Sequence, residues 1–292
     1  MRELASPALS GLTTLRLGGT AIALLEPENE SDLLRLDERA ASLGGELFFL
    51  GRGSNLLARD GELPVVLASL SAWQKIRIAG ARDGTVLVEA GAGAPLPRLL
   101  RFCAANGLSG LEGLTGIPGS VGGACAMNAG SFGCETGARI SALRMLTENG
   151  LKWLGRDELN FGYRFLKINE SGKLPLIIKA VFALTQAGKS VIFSRMNLNF
   201  LEKKSRQPVT SWSAGCAFKN PASGPSAGKL LEQAGFRGKK AGGMAFASRH
   251  ANFLVNEGHG TAAAAFDLLA QARAAVARQS GIELESEIRI LQ

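Results

Sequence analysis

Apolar residues in this chain come in short runs, and most of the runs stop at glycine. Leu33, Leu34, Leu36, Ala40 and Leu43 recur near the helical period, which predicts a helix over 31–43 with Asn29 or Ser31 as its cap and Gly44-Gly45 as its stop. Leu47-Phe48-Phe49-Leu50 predicts a buried strand and Val65-Val66-Leu67 another, so the first 70 residues form a small βαβ-like unit. Strands are predicted at 73–79 and 85–90 around the turn Arg82-Asp83-Gly84. A helix over 96–105 has Pro95 or Pro97 in its first turn and Asn106-Gly107 at its end. Further strands are predicted at 140–147 and 151–154, joined at Glu148-Asn149-Gly150, and at 176–184. After a polar hinge at Gln186-Ala187-Gly188 come a helix over 191–204, a strand at 216–218, a helix near 226–234 and a strand at 253–255. An alanine-rich helix from Thr261 to about Ser280 ends at Gly281, and a last strand covers 282–291. No internal repeat is visible. The pattern is α+β with mixed sheets: a first region over 1–187, made of subdomains 1–70 and 71–187, and a smaller C-terminal domain over 188–292.

Two glycine-rich stretches interrupt this pattern. Gly116-Ile117-Pro118-Gly119-Ser120-Val121-Gly122-Gly123-Ala124 runs on through Met127-Asn128-Ala129-Gly130. So many glycines around a proline predict a stiff turn, neither helix nor strand, that turns backbone N–H groups outward and lets a large ligand approach the main chain. The second stretch, Gly51-Arg52-Gly53-Ser54-Asn55-Leu56-Leu57, follows the strand at 47–50. Leu56 stands where a dinucleotide-binding fingerprint has its third glycine, and no Gly-Lys-Ser/Thr follows, so neither common phosphate loop is present. Either stretch alone reads equally as a connector. Two in one chain point to a large, phosphate-bearing cofactor.

Charge narrows the partner. Lys and Arg number 33 and Asp and Glu 25, a net +8, which favours an anionic ligand. The basic clusters Lys203-Lys204-Ser205-Arg206 and Arg237-Gly238-Lys239-Lys240 are short, and the aromatics, 6% of the chain, do not interleave with them. That is a poor platform for nucleic acid, and a small anionic substrate fits better. Four cysteines without a C-x-x-C pair, no signal peptide and no apolar run of membrane-spanning length predict a cytoplasmic protein with reduced thiols. His250 and His259, the only histidines, have no metal-binding spacing, so no metal site is expected.

Three more segments carry polar chemistry: Phe161-Gly162-Tyr163-Arg164, Ser213-Ala214-Gly215-Cys216-Ala217-Phe218-Lys219-Asn220-Pro221, and Leu284-Glu285-Ser286-Glu287-Ile288-Arg289-Ile290. Taken with Leu50 to Asn55, Gly116 to Gly123 and Asn128 to Gly130, in this order and spacing, they resemble the UDP-N-acetylenolpyruvoylglucosamine reductase family over nearly the whole chain. The resemblance implies a vanillyl-alcohol-oxidase-like FAD domain, a C-terminal domain that closes over a UDP-sugar, non-covalent FAD, and NADPH as hydride donor. The reaction it implies is reduction of an enolpyruvyl ether to UDP-N-acetylmuramate, a step in making peptidoglycan.

The resemblance also implies roles. Gly51, Arg52, Gly53, Ser54, Asn55 and Leu56 would bind the cofactor, together with Gly116, Ile117, Pro118, Gly119, Ser120, Gly122, Gly123, Ala124, Asn128 and Gly130. Arg164 and Glu287 match the family's residues for the enolate-like charge that develops beside the substrate carboxylate. A guanidinium is suited to that task because it stays charged and binds carboxylates in bidentate fashion. Cys216 stands where many members have the serine that delivers a proton to carbon; a thiol is the stronger acid. Tyr163, Lys204, Arg206, Lys219, Asn220 and Arg289 would contact the substrate. The interval from Arg164 to Cys216 is short for the family and lacks an inserted tyrosine segment, which places the chain in the shorter subclass. His250 and Asn252 lie in a stretch similar to one near the substrate, or are structural. Cys103, Cys125 and Cys134 are expected to be structural. Two other readings stand beside this one: another FAD-dependent oxidoreductase of the same fold, and a basic nucleic-acid-binding protein whose glycine stretches are only turns. No histidine precedes His250, which argues against a tethered flavin.

Overall fold

A computed structural model describes residues 1–168 and 176–292, and the chain divides into two compact units. The first comprises Met1–Leu4, Leu24–Gly51 and Val66–Glu202; the second comprises Ala5–Ala23, Arg52–Val65 and Lys203–Gln292. This division differs from the expected cut at 187/188. Leu15, Leu17 and Leu57 are buried in the same core as Leu254, Leu268 and Leu284, so two N-terminal segments belong with the C-terminal part. The helix after the polar hinge, Lys189–Arg206, stays with the first unit as far as Glu202.

The first unit is built on an antiparallel sheet in the order Gly150–Gly155, Ile140–Thr147, Leu176–Gln186, Thr85–Gly91, Ile76–Arg82, with the short strand Leu108–Ser109 also on Leu176–Gln186. The Asp83-Gly84 turn has φ of 50° and 74°, the left-handed pair that an Asp-Gly hairpin provides. The helix Leu96–Ala105 buries Leu96, Leu99, Leu100, Cys103 and Ala104, one face at helical spacing, as expected. The stretch before Gly51 belongs to a four-stranded sheet in the order Arg2–Ala5, Thr20–Glu26, Glu62–Ala68, Glu46–Phe49.

The helix expected over 31–43 is two short helices, Glu30–Leu34 and Leu36–Ser42, which meet at Arg35. With this break Leu33, Leu36 and Ala40 are buried while Leu34 faces solvent. Asp32, 2% exposed, explains the first turn. The Met1 ammonium 2.7 Å away, the Glu28 N–H and the Arg35 guanidinium hold its carboxyl down at about 2, against the desolvation that opposes them. A depressed carboxyl pKa contributes stability above its unfolded value, roughly 3.9, and loses it as pH falls through the folded one. Asp32→Asn is therefore expected to lower the unfolding temperature at neutral pH and to flatten the acid limb of the parent's stability profile. Thermal melts from neutral to about pH 2 measure this; profiles that stay parallel would assign the acid limb to other carboxyls.

The second unit packs the sheet Trp212–Cys216, Phe253–Asn256, Met244–Phe246, Lys240–Ala241 with the helices Ala227–Gln233 and Ala262–Ser280. Ala262, Ala265, Leu268, Leu269, Ala272 and Val276 form the buried stripe of the long helix. Thr261 caps its start and Gly281, at φ 69°, its end, as the pattern predicted. Two expected strands move. The strand expected over 216–218 is found earlier, over Trp212–Cys216, so that only Cys216 of it is in a strand, and the expected strand over 282–291 is regular only over Arg289–Leu291, parallel to Leu56–Ala58. Phe218 and Ser286 form a single bridge, and Leu284 and Ile288, an even number of residues apart, are both buried.

Candidate active site

The long glycine stretch departs from expectation: Val121–Ala126 is a helix, with Ser120 as its cap. The local reason is that its first N–H groups all find protein acceptors. Val121 N donates to Ala94 O, Gly122 N to Ala92 O, Gly123 N to the Ser120 hydroxyl and Ala124 N to Ser120 O. These groups are not turned outward. What the helix offers instead is missing side chains. A Cβ on Gly122 would lie 2.8 Å from that of Ala92, so Gly122 is needed for packing. A Cβ on Gly123 would have Ser120 Oγ, at 3.4 Å, as its nearest neighbour. Gly123 is exposed, and no side chain shields its backbone. Ahead of the helix, Gly116 and Gly119 take positive φ, Ile117 is half-buried and Pro118 exposed. Ala124 points into the interior.

Asn128 and Gly130 serve the protein. The Asn128 amide is 1% exposed and bonds Glu135, Gly162 O and Gly137 N, while Gly130 pairs with Glu135 in a two-residue ladder. Tyr163 and Arg164 are the central residues of the hairpin joining Leu159–Gly162 to Phe165–Ile168. Arg164 has φ 64°, a left-handed conformation that a branched or long side chain adopts at a cost, and its guanidinium stacks 5.0 Å from the Tyr163 ring.

In the first unit Gly51 lies beside Ser120: a Cβ on it would be 2.9 Å from Ser120 Oγ. Its loop continues in the second unit. Gly53 must be glycine, since at φ 60° a Cβ would sit 2.1 Å from Leu12 O. Arg52 is exposed and Ser54 half-buried. Asn55 and Leu56 are structural: Asn55 O accepts from Arg289 N, Asn55 Nδ2 donates to Glu287 O at 3.0 Å, and Leu56 is buried in the parallel pairing with Arg289.

Cys216 and Glu287 come together in this second unit. Glu287 N donates 2.9 Å to the carbonyl of Ala217, the residue after Cys216. Asn252 fixes the same strand from the other side, accepting from Phe218 N, donating to Phe218 O and offering its carbonyl to Ala217 N. Asn252 thus braces this segment, and it also lines the cavity at Cys216. Cys216 lines a cavity of about 390 Å³ with Asn220, Lys229, Arg237, Arg249 and His250. Burial lowers the His250 pKa, so its ring is neutral at neutral pH.

The expected substrate cations are placed differently. Lys219 is ion-paired with Glu285, which offsets its charge. Asn220 accepts from Ala227 N while also facing the cavity. Of the cluster at 203–206 the buried member is Lys203, 4% exposed; desolvation lowers its pKa to about 8, against the pull of Cys216 that raises it. It stays charged at neutral pH. Lys203, Arg237 and Arg249 were missed because each sits in a short polar run that reads as a solvated face, and Lys229 because it is a lone cation on a predicted helix; only tertiary placement brings Lys229, Arg237 and Arg249 to the cavity at Cys216.

The other thiols are inert by environment. Burial pushes Cys103 and Cys125 up to about 12 and raises Cys134 as well. Iodoacetamide near neutral pH is expected to label Cys216, half-exposed at the cavity, well before Cys103 and Cys125, which react only after denaturation. Peptide mass spectrometry reads the order; labelling of Cys125 in the folded chain as fast as Cys216 would contradict its buried placement.

A family model described as FAD binding domain matches residues 21–154, and one described as UDP-N-acetylenolpyruvoylglucosamine reductase, C-terminal domain, matches 207–291. A reductase of that name from Nitratidesulfovibrio vulgaris is 46% identical over 292 residues, covering 100% of this chain and 99% of its own length. The chain belongs to the UDP-N-acetylenolpyruvoylglucosamine reductase family. The corresponding protein of Oleidesulfovibrio alaskensis is 45% identical over 98% of this chain and 97% of its own. The crystal structure of the Thermus caldophilus reductase superposes with a TM-score of 0.82 at 32% identity, covering 100% of this chain and 98% of that one. The expected α+β class, with an FAD-binding domain and a separate C-terminal domain, is therefore the fold of this reductase. No described helix is long and apolar enough to cross a membrane.

Proposed function

We infer that the protein is an FAD-dependent reductase that uses NADPH to reduce the enolpyruvyl ether of UDP-N-acetylglucosamine to UDP-N-acetylmuramate, in peptidoglycan precursor synthesis. The full-length match to the family carries this reading. The bare backbone at Gly123 is compatible with FAD, and the residues of the first unit that would hold it are Gly51 and Gly116 to Gly123. When bound, FAD supplies the hydride relay between NADPH and the terminal carbon of the enolpyruvyl group.

The chain's own residues handle charge and proton. Arg164, rigid at the tip of its hairpin, pairs with the substrate carboxylate and stabilises the negative charge that grows beside it. Cys216 gives its thiol proton to the carbon bearing that carboxylate: the S–H bond breaks, a C–H bond forms, and a thiolate remains until solvent reprotonates it. Buried Lys203, electrostatically coupled to Cys216, favours that thiolate. Glu287, stapled through both its N–H and its carbonyl, orients the acceptor side of the same step. Lys229 and Arg249 line the cavity at Cys216 and suit the anionic diphosphate better than Lys219, whose charge Glu285 offsets, or Arg237, whose charge Glu232 offsets.

Arg164→Ala and Glu287→Gln are expected to slow substrate-dependent reoxidation by about 10²-fold or more and to leave flavin reduction by NADPH nearly unchanged. Stopped-flow traces of the two half-reactions decide. Equal slowing of both would move these residues from catalysis to cofactor binding or folding.

A further inference from the structure

Asn128 stands in a motif that reads as part of a cofactor loop, yet its amide is fully engaged inside the first unit. Nδ2 donates to a Glu135 carboxylate oxygen at 2.9 Å and to the carbonyl of Gly162 at 2.9 Å; Oδ1 accepts from Gly137 N at 2.8 Å. Both amide hydrogens are spent, and the orientation is fixed, because a carbonyl demands a donor and a backbone N–H an acceptor. The backbone of Asn128 is equally determined. At φ 41° it ends the helix Val121–Ala126 in the left-handed conformation that asparagine tolerates, its N–H donating to Cys125 O and the next one to Ala124 O.

Gly162 is the first residue of the four-residue turn whose centre is Tyr163-Arg164. Its carbonyl is the point where a side chain from the glycine-rich segment grips the Arg164 hairpin. The surroundings are closely packed. A Cβ on Gly137 would lie 2.5 Å from the Phe161 ring, and one on Gly162 would lie 2.2 Å from the Phe165 ring. A turn with arginine at φ 64° persists only where its neighbours over-determine it, and strain of this kind is found where a side chain must be presented in one place.

We propose that Asn128 is a positioning residue for Arg164: by holding the Gly162 carbonyl it fixes the turn that presents the guanidinium, and it ties that turn to the helix carrying Gly122 and Gly123. The inference rests on Arg164 acting in the substrate half-reaction. It replaces the sequence expectation that Asn128 contacts the cofactor, since its side chain has no N–H left to give.

The test uses full-length Asn128→Asp, which keeps a residue tolerant of the backbone conformation, and Asn128→Gly, which is free to adopt it; both weaken or remove the bond to Gly162, and each is made alone and combined with Arg164→Ala. Flavin content, flavin reduction by NADPH and reoxidation by the enolpyruvyl substrate are measured for every chain. Each single variant is expected to retain flavin, to be reduced by NADPH within about threefold of the parent, and to be reoxidised roughly 10- to 100-fold more slowly. Added to Arg164→Ala, neither substitution should slow reoxidation further, because a positioning residue has nothing left to position. Glu135→Ala, which leaves the Gly162 bond in place, should stay within about threefold in both half-reactions. Loss of flavin with additive effects would make Asn128 a cofactor contact, and failure of both variants to fold would make its bonds purely structural; either overturns the proposal. If Arg164→Ala itself reoxidises at the parent rate, the underlying reading of Arg164 falls, and that result is distinct from an Asn128 effect that is missing while the Arg164 effect is present.

Discussion

Cys216→Ala is expected to lower turnover by about 10²- to 10⁴-fold, the contribution of one positioned proton donor. The loss should fall in the substrate half-reaction alone, with NADPH-dependent flavin reduction intact. The Cys216 thiol has defined surroundings. It sits half-exposed at a cavity lined by Lys229, Arg237 and Arg249, with the buried Lys203 charge acting on it and the segment after it pinned by Asn252 and Glu287. Alanine keeps this frame and removes only the proton. Cys216→Ser should retain substantial activity, since many family members use serine, although the buried Lys203 charge suits a thiolate better than an alkoxide that never forms. With substrate turned over in deuterated solvent, deuterium should enter at the carbon bearing the carboxylate, and the terminal carbon should carry the hydrogen that began on NADPH. An alanine variant within a few-fold of the parent would place the proton donor elsewhere.

Local chemistry was legible in this chain wherever it was decided locally. The Asp83-Gly84 turn, the proline-opened helix ending at Gly107 and the capped helix over Ala262–Ser280 follow from residues within a few positions of each other. The site motifs were legible as a set because their order along the chain is specific, and Cys216 and Glu287 do meet through Ala217. What the pattern hid was decided at a distance. Glycine content argued against a helix at 121–126, but Ala92, Ala94 and Ser120 accept its leading N–H groups, and Ala92 leaves no room for a larger residue at Gly122. Asn55 and Asn128 looked like ligands because short polar side chains beside glycines often are; each donates instead to a main-chain carbonyl, that of Glu287 in one case and that of Gly162, at the start of the Arg164 turn, in the other. Lys203 looked like one of a solvated basic cluster until the fold buried it. The grouping of Leu15, Leu17 and Leu57 with the C-terminal core was equally invisible, since no local period reports which distant core a strand will join.

Gly123→Val is expected to yield a folded chain without flavin. The two neighbouring glycines of the helix Val121–Ala126 differ in why they are glycine. Helical glycine costs about 0.8–1.0 kcal/mol relative to alanine, so each needs a compensating reason. Gly122 has one within the protein, the 2.8 Å approach of Ala92. Gly123 has only the Ser120 hydroxyl nearby, at ordinary contact distance, and is exposed. A ligand that comes against the backbone would supply the reason, and the ligand proposed above is FAD. Three outcomes follow from one comparison. Gly123→Ala should raise the unfolding temperature of the flavin-free chain, by up to about 1 kcal/mol of stability, while weakening FAD binding. Gly122→Ala should lower that temperature, because the clash with Ala92 is internal. Gly123→Val should bring a branched side chain to the ligand's side of the helix, and the protein should purify colourless. Flavin absorbance per protein and melting curves with and without added FAD measure all three. Full flavin occupancy in Gly123→Val, or a flavin-free chain destabilised as much by Gly123→Ala as by Gly122→Ala, would mean that the bare backbone at Gly123 serves packing and that the cofactor lies elsewhere.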